Sequence, residues 1–184
     1  MSLLKPFSKT PEINGANILL VENEEQFQQC LAETIVLQNM NVNVNVRLAR
    51  SLPLPMENEK SRPRIDLVVF IINLTSEASF KSAETSLKYL DPGYFLGKVC
   101  FVVTKARSAV PPERLIAVRK LAASLHCPLL YAEDQTTEGV TTTAHRLLAI
   151  LRVTAGLIPM ATSLYLSTLT CYTLPSDTDQ LNFD

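Results

Sequence analysis

The sequence predicts an α/β domain in three layers, a mainly parallel sheet with helices on both faces, and three observations carry that expectation. Two short runs, residues 65–74 and 99–103, are almost continuously apolar and rich in β-branched side chains. Strands read this way when both of their faces are covered, as in a parallel sheet. Between such runs the apolar residues recur at helical spacing, so strand and helix alternate along the chain, and that order calls for right-handed crossovers. Finally, 184 residues with 47% hydrophobic content suit one domain with a sizeable core.

Taken in order, residues 1–15 form a polar arm containing Pro6, Pro11 and Gly15. Ile18, Leu19, Leu20 and Val21 then make a short buried strand, and Phe27, Leu31 and Ile35 set one face of a helix over residues 24–40. Polar and apolar residues alternate over 41–49, the period of a strand whose buried side carries Val42, Val44, Val46 and Leu48. Residues 50–64, with Pro53, Pro55, Pro63 and a charged cluster, are an irregular surface connection. The strand at 65–74 is followed by Thr75 or Ser76 as a helix cap, then a helix to Leu90 that is apolar at Phe80, Ala83, Leu87 and Leu90, ended by Asp91-Pro92-Gly93. After the strand at 99–103, Pro111 and Pro112 open a helix with Leu115, Val118, Leu121, Ala122 and Leu125 in a stripe. Residues 128–132 are a short last strand, and Gly139 leads into a helix through Leu147, Leu148, Ile150 and Leu151.

Charge and special residues exclude several functions. A net charge of −1 without a basic block leaves no electrostatic footprint for direct nucleic-acid binding. Cys30, Cys100, Cys127 and Cys171 stand far apart and only His126 and His145 accompany them, which argues for reduced thiols and against a metal site. The apolar stretch 147–169 is interrupted by Arg152 and Pro159, so a buried or partner-facing helix is expected there and no membrane span. Both histidines read as surface or helix-end residues, Asp66 as a strand-edge residue and Cys100 as core packing.

In parallel sheets of this kind ligands gather at the carboxyl ends of the strands. The first such end is Glu22-Asn23-Glu24-Glu25, a turn with no glycine, no lysine and three acids. The others are Asn73-Leu74-Thr75, Thr104-Lys105-Ala106-Arg107 and Tyr131-Ala132-Glu133-Asp134.

The order of elements, with segments 68–80 and 99–107, resembles the Ras-type small GTPases over residues 16–152. That family wraps a polyphosphate with Gly-x-x-x-x-Gly-Lys-Ser/Thr, using bare backbone N–H groups and a lysine. Matched to this chain, the glycine positions fall on Glu22 and Phe27, the lysine on Gln28 and the magnesium-holding serine on Gln29. The base-reading Asn-Lys-x-Asp falls on Thr104, Lys105 and Arg107, so the lysine alone remains, and it reads as a solvated strand-end residue. Ser51-Leu52-Pro53-Leu54 stands where the metal-binding Asp-x-x-Gly belongs, and there is room for one strand where the family has two. The resemblance thus implies a pseudo-GTPase with no cofactor, no metal and no catalytic residue, its turn acids free as solvated loop residues or partner contacts. A divergent regulatory GTPase with atypical nucleotide binding is the alternative.

Segments 49–55, 62–67, 95–101 and 128–131 resemble, more narrowly, the centromere protein M family, GTPase-like proteins of the inner kinetochore that bind no nucleotide. The resemblance implies a nuclear, centromeric scaffold role with centromere protein I as direct partner, together with centromere proteins H and K. The expected organisation is an arm over 1–15, a GTPase-like domain over 16–170 and a flexible tail over 171–184. From residue 153 the domain is expected to continue as an apolar helical extension. There Leu157, Ala161, Leu164 and Tyr165 would share one face and, with Leu169, either dock a partner or fold back over the shortened switch region.

Overall fold

A computed structural model of the chain describes residues 3–6, 9–10, 14–24, 26–38, 42–55, 62–108 and 110–162. Strands β1 (Gly15–Val21), β2 (Asn43–Ala49), β3 (Leu67–Asn73), β4 (Val99–Thr104) and β5 (Leu129–Tyr131) form one sheet in the order β2-β1-β3-β4-β5. Every neighbouring pair is parallel. Helices α1 (Gln26–Gln38), α2 (Glu77–Leu87), α3 (Pro112–Ser124) and α4 (Thr137–Thr154) make the crossovers. The expected three-layer α/β architecture is the one observed.

Both faces of the sheet are covered, and the period of the strand decides which residue faces which layer. From β1 and β3, Ile18, Leu20, Leu67, Val69 and Ile71 pack against Phe27, Leu31 and Ile35 of α1 and Ala144, Leu147 and Leu151 of α4. Their sequence neighbours Leu19, Val21, Val68, Phe70 and Ile72 point the other way, into a second cluster with Ala83 of α2 and Val118 and Ala122 of α3. With two apolar environments to satisfy, β3 has no place for a polar residue until Asn73, which explains its uninterrupted hydrophobic run. Each fully buried aliphatic side chain here contributes about 1.5–3 kcal/mol.

β2 follows α1 after only residues 39–42 and pairs directly with β1, so the second strand of the GTPase pattern has no room, as the spacing predicts. Its even-numbered valines are half-buried against α1, whereas Leu48, expected on the buried side, is 48% exposed because the strand is at the sheet edge. Of the described residues in the expected arm over 1–15, Gly15 begins β1, Asn14 accepts a hydrogen bond from Asn43, and Leu4 reaches the core. Leu4 is buried in the α2/α3 cluster, its N–H donating to the Tyr89 carbonyl at 3.0 Å and its carbonyl accepting from Asp91 at 2.9 Å.

Helix ends follow local chemistry. The Ser76 hydroxyl accepts the Ser79 N–H at 3.3 Å and the Thr136 hydroxyl accepts the Gly139 N–H at 3.0 Å, each capping a first turn. Pro112 occupies the first position of α3, where a missing N–H costs nothing. α2 stops at Leu87, three residues earlier than expected, and Pro92–Phe95 forms a turn of 3-10 helix. At the end of α3, His126 takes the left-handed conformation (φ 51°) while Cys127 N–H reaches back to Ala122 and His126 N–H to Ala123.

The same closure ends α4 at Thr154. Gly156 lies at φ 78°, its N–H donates to Val153 at 3.0 Å, and Leu157 N–H donates to Arg152 at 2.9 Å. This corrects the helical reading of residues 155–162, because the glycine and the paired back-bonds use up the final carbonyls. Leu157 is half-buried against the α1/α4 cluster. Leu164, Tyr165 and Leu169 lie outside the described residues.

Polar groups are buried at the amino ends of the strands. Asp66 is 2% exposed, accepts the Asn17 N–H at 3.0 Å and pairs with Arg64 at 2.9 Å, so it is a buried structural acid and not the edge residue expected. Lys98 is also buried and donates to the Thr154 carbonyl at 2.6 Å, at the negative end of α4. Burial holds its ammonium below the usual lysine range, with the Arg64 charge adding to the shift and Asp66 opposing it.

Candidate functional site

The five strands all end at one pole of the sheet, and there the chain's own side chains bond one another. Glu22, immediately after β1, donates its N–H to the Ala49 carbonyl at 3.0 Å, tying the end of β1 to the end of β2. Its carboxylate turns toward the start of α1 and accepts the Gln28 N–H at 2.7 Å. Early helix N–H groups have no partner inside the helix, and a carboxylate there also meets the positive end of the helix dipole. Gln28 is itself buried, its side-chain amide donating to the carbonyls of Leu20 and Ala49 at 3.5 and 3.4 Å.

The other strand ends are tied in the same way. Asn73 at the end of β3 donates from its side chain to the Glu24 carboxylate at 2.8 Å, and its N–H donates to the Ser79 hydroxyl at 3.1 Å. Arg114 of α3 reaches the Leu74 carbonyl at 2.9 Å. After β4, Lys105 adopts φ 59° and pairs with Asp134 at 2.7 Å, while Arg107 pairs with Glu133 at 3.0 Å. Between the ends of β4 and β5 an open cavity of about 470 Å³ is lined by Lys105, Arg107, Tyr131, Asp134, Gly139 and Arg146 among others. Gly139 is required at its rim, since a Cβ there would lie 2.3 Å from the Glu133 carbonyl oxygen.

Among the described residues no group of three His, Cys, Asp or Glu side chains could hold a metal ion, and no helix is long and apolar enough to cross a membrane. The family model described as centromere protein M matches residues 1–173 of this chain. The chain belongs to the centromere protein M family. Centromere protein M of Danio rerio is 58% identical over 179 residues, covering 96% of this chain and 96% of that protein. The Xenopus laevis protein is 42% identical over 178 residues (96% and 99% of the two chains), and the Homo sapiens protein 41% identical over 170 (92% and 93%).

In this centromere protein M family member, the residues matched to the phosphate loop do come together, but in roles the sequence did not reveal. Phe27 is buried in the α1/α4 core, Gln28 closes the strand ends from beneath, and Gln29 is exposed on α1. Glu22 is 3% exposed and is therefore a buried cap, correcting the expectation of a solvated loop acid. Glu24 is half-buried, and Glu25 lies outside the described residues. Thr104 is buried at the end of β4, and Lys105 is ion-paired where a solvated lysine was expected. The signal available was an acid directly between a buried strand and a helix start. Its importance rests on the bond to an amide six positions on, which a sequence pattern does not specify.

Burial raises the Glu22 carboxyl above its usual range, the amides of Gln28 and Phe27 oppose this, and the charges of Glu24 and Asp134 add to it. A carboxyl raised in the folded state contributes stability that is full below its ordinary value of 4.5 and is lost as pH rises through the raised value. Glu22→Gln keeps an acceptor for the Gln28 N–H and removes the charge. The variant is expected to melt a few degrees higher than the parent at neutral pH, with the gap closing toward pH 4. Thermal melts across that range check this, and a variant that is less stable at neutral pH contradicts it.

Proposed function

We propose that this chain is a non-enzymatic structural subunit of the inner kinetochore, located in the nucleus at the centromere, and a pseudo-GTPase. In this role it stabilises a subcomplex with centromere proteins H, I and K, with centromere protein I as the direct partner, and supports kinetochore assembly and chromosome segregation. Family membership supports the centromeric role. The observation that carries the non-enzymatic reading is the Glu22 carboxylate bonded to the Gln28 N–H at the start of α1. A nucleotide phosphate needs that amide, and an anion about 4 Å from the carboxylate would be repelled by roughly 4 kcal/mol at an effective dielectric near 20. The lysine and the magnesium ligand that would offset this correspond to Gln28 and Gln29. The residues present do not fit a bound GTP–magnesium group.

The partner-binding residues in this reading are Leu157, Ala161, Leu164, Tyr165 and Leu169. Leu157 already packs on its own domain, so it would border the docking face and position the chain leaving α4. The test has two arms. Purified protein is analysed for co-purifying nucleotide and for labelled GTP binding, and it is mixed with centromere proteins H, I and K and run on a sizing column. Expected are no GTP at stoichiometric level and one co-eluting complex, weakened at least tenfold by Leu164→Glu in a chain whose melting is unchanged. Stoichiometric GTP would instead establish a divergent regulatory GTPase, and failure to co-elute would remove the scaffold assignment.

A further inference from the structure

The sheet ends at β2, and among the described residues nothing pairs with its outer edge. Two hydrogen bonds fix which backbone groups face outward. Asn43 N–H donates to the Asn14 carbonyl at 2.9 Å and the Ala49 carbonyl accepts from Glu22 at 3.0 Å, both on the β1 side. Residues 43, 45, 47 and 49 therefore turn their N–H and C=O groups toward β1, and Val44, Val46 and Leu48, between them, turn theirs away from the sheet. Each of these three presents a donor and an acceptor at a spacing of about 6.7 Å, the repeat of a strand.

Exposed edges are usually blunted by proline, lysine, a bulge or a covering element, because an unpaired edge is a template for another strand. β2 holds no proline and no lysine, and it keeps an unbroken seven-residue register with β1. Its side chains divide by face. Val44, Val46 and Leu48 lie on the α1 side, while Asn43, Asn45 and Arg47 lie on the other and are exposed. The strand contains no acid, and its charge is Arg47, with Arg50 just beyond its end.

We propose that the β2 edge is a docking site for an extended segment of another protein, which adds to the sheet as a sixth strand. The outward backbone groups specify an extended chain of about six residues. The division of side chains specifies an alternating segment, apolar toward α1 and polar on the opposite face. Arg47 specifies an acidic residue on that polar face. A second copy of this chain is the poorer occupant, since its β2 brings another arginine and no acid to the seam. The proposal does not depend on the scaffold reading, because it concerns the sheet edge and not the segment after α4.

The experiment uses the full chain and a displayed library of random nine-residue peptides, followed by hydrogen exchange with the selected peptide. Expected are selected peptides that alternate apolar and polar residues and carry an acid, and slowing of the Val44, Val46 and Leu48 amides by at least tenfold when peptide is bound. Val46→Pro removes an outward N–H and none of the ladder to β1, so the fold should persist while peptide binding falls at least tenfold. Val44→Pro serves in the same way should Val46→Pro fail to fold, and Arg47→Ala should weaken binding severalfold. The proposal is overturned by a library that yields no binder, by binding that survives both proline variants, or by unchanged exchange at the three amides. Concentration-dependent protection of those amides without peptide also overturns it, as that would place a second copy on the edge.

Discussion

Replacing Asp66 with alanine is expected to cost about 3–5 kcal/mol of folding stability, the range for removing one partner of a buried ion pair. Asp66 is 2% exposed and serves several groups at once: the Asn17 N–H, the Arg64 guanidinium, and the charge of Lys98 nearby. Its loss leaves the Asn17 amide without its acceptor and removes the carboxylate that Arg64 pairs with, at a position almost fully shielded from water. Asp66→Asn keeps an acceptor for the amide and should cost less. Urea unfolding of the three proteins measures both effects, and an alanine cost under about 1 kcal/mol would show that the cluster relaxes to solvent.

The second large effect is expected in the middle of the sheet. Phe101 on β4 and Phe70 on β3 are register partners, both buried, with ring centroids 5.8 Å apart and planes inclined by 27°. Phe101→Ala should cost about 3–5 kcal/mol, because the void lies between two rigid strands and beneath a helical layer that cannot collapse to fill it. For a chain of this size that lowers the melting temperature by on the order of 10 °C. Phe101→Leu, which retains most of the volume, should lose far less. Thermal and denaturant melts separate the two variants, and equal losses would contradict the cavity argument.

Much of the fold was legible in the sequence because the sheet is buried on both faces. That burial forces the unbroken apolar runs of β3 and β4, and the helices that follow them carry their own punctuation in Ser76 and Pro112, whereas the Thr136 cap of α4 emerged from the structure. The edge strand was legible in its alternation, although exposure at the margin left Leu48 outside the core. Less legible were features set by long-range geometry. The stop of α4 depends on Gly156 taking a left-handed conformation, and an apolar sequence on either side of it hid the break. Asp66, Lys98 and Glu22 are charged residues next to loops, which ordinarily means solvated, and their burial follows from partners that are distant in sequence or provided by backbone. The phosphate-loop positions were legible as a set of absent residue types, but not as a place where a carboxylate and a glutamine close the strand ends.

That closure has a consequence for what can act on it. A group held by the chain itself is present at an effective concentration fixed by a short loop and does not vary with the composition of the surroundings. Glu22 is six residues from the amide it caps, so no metabolite level determines whether the start of α1 is satisfied. The agent to which this cap can respond is the proton, and burial moves that response toward less acidic pH. At the end of β1, where related folds exchange a diffusible ligand, this chain meets the first amides of α1 with a group tied to them by its own covalent connectivity.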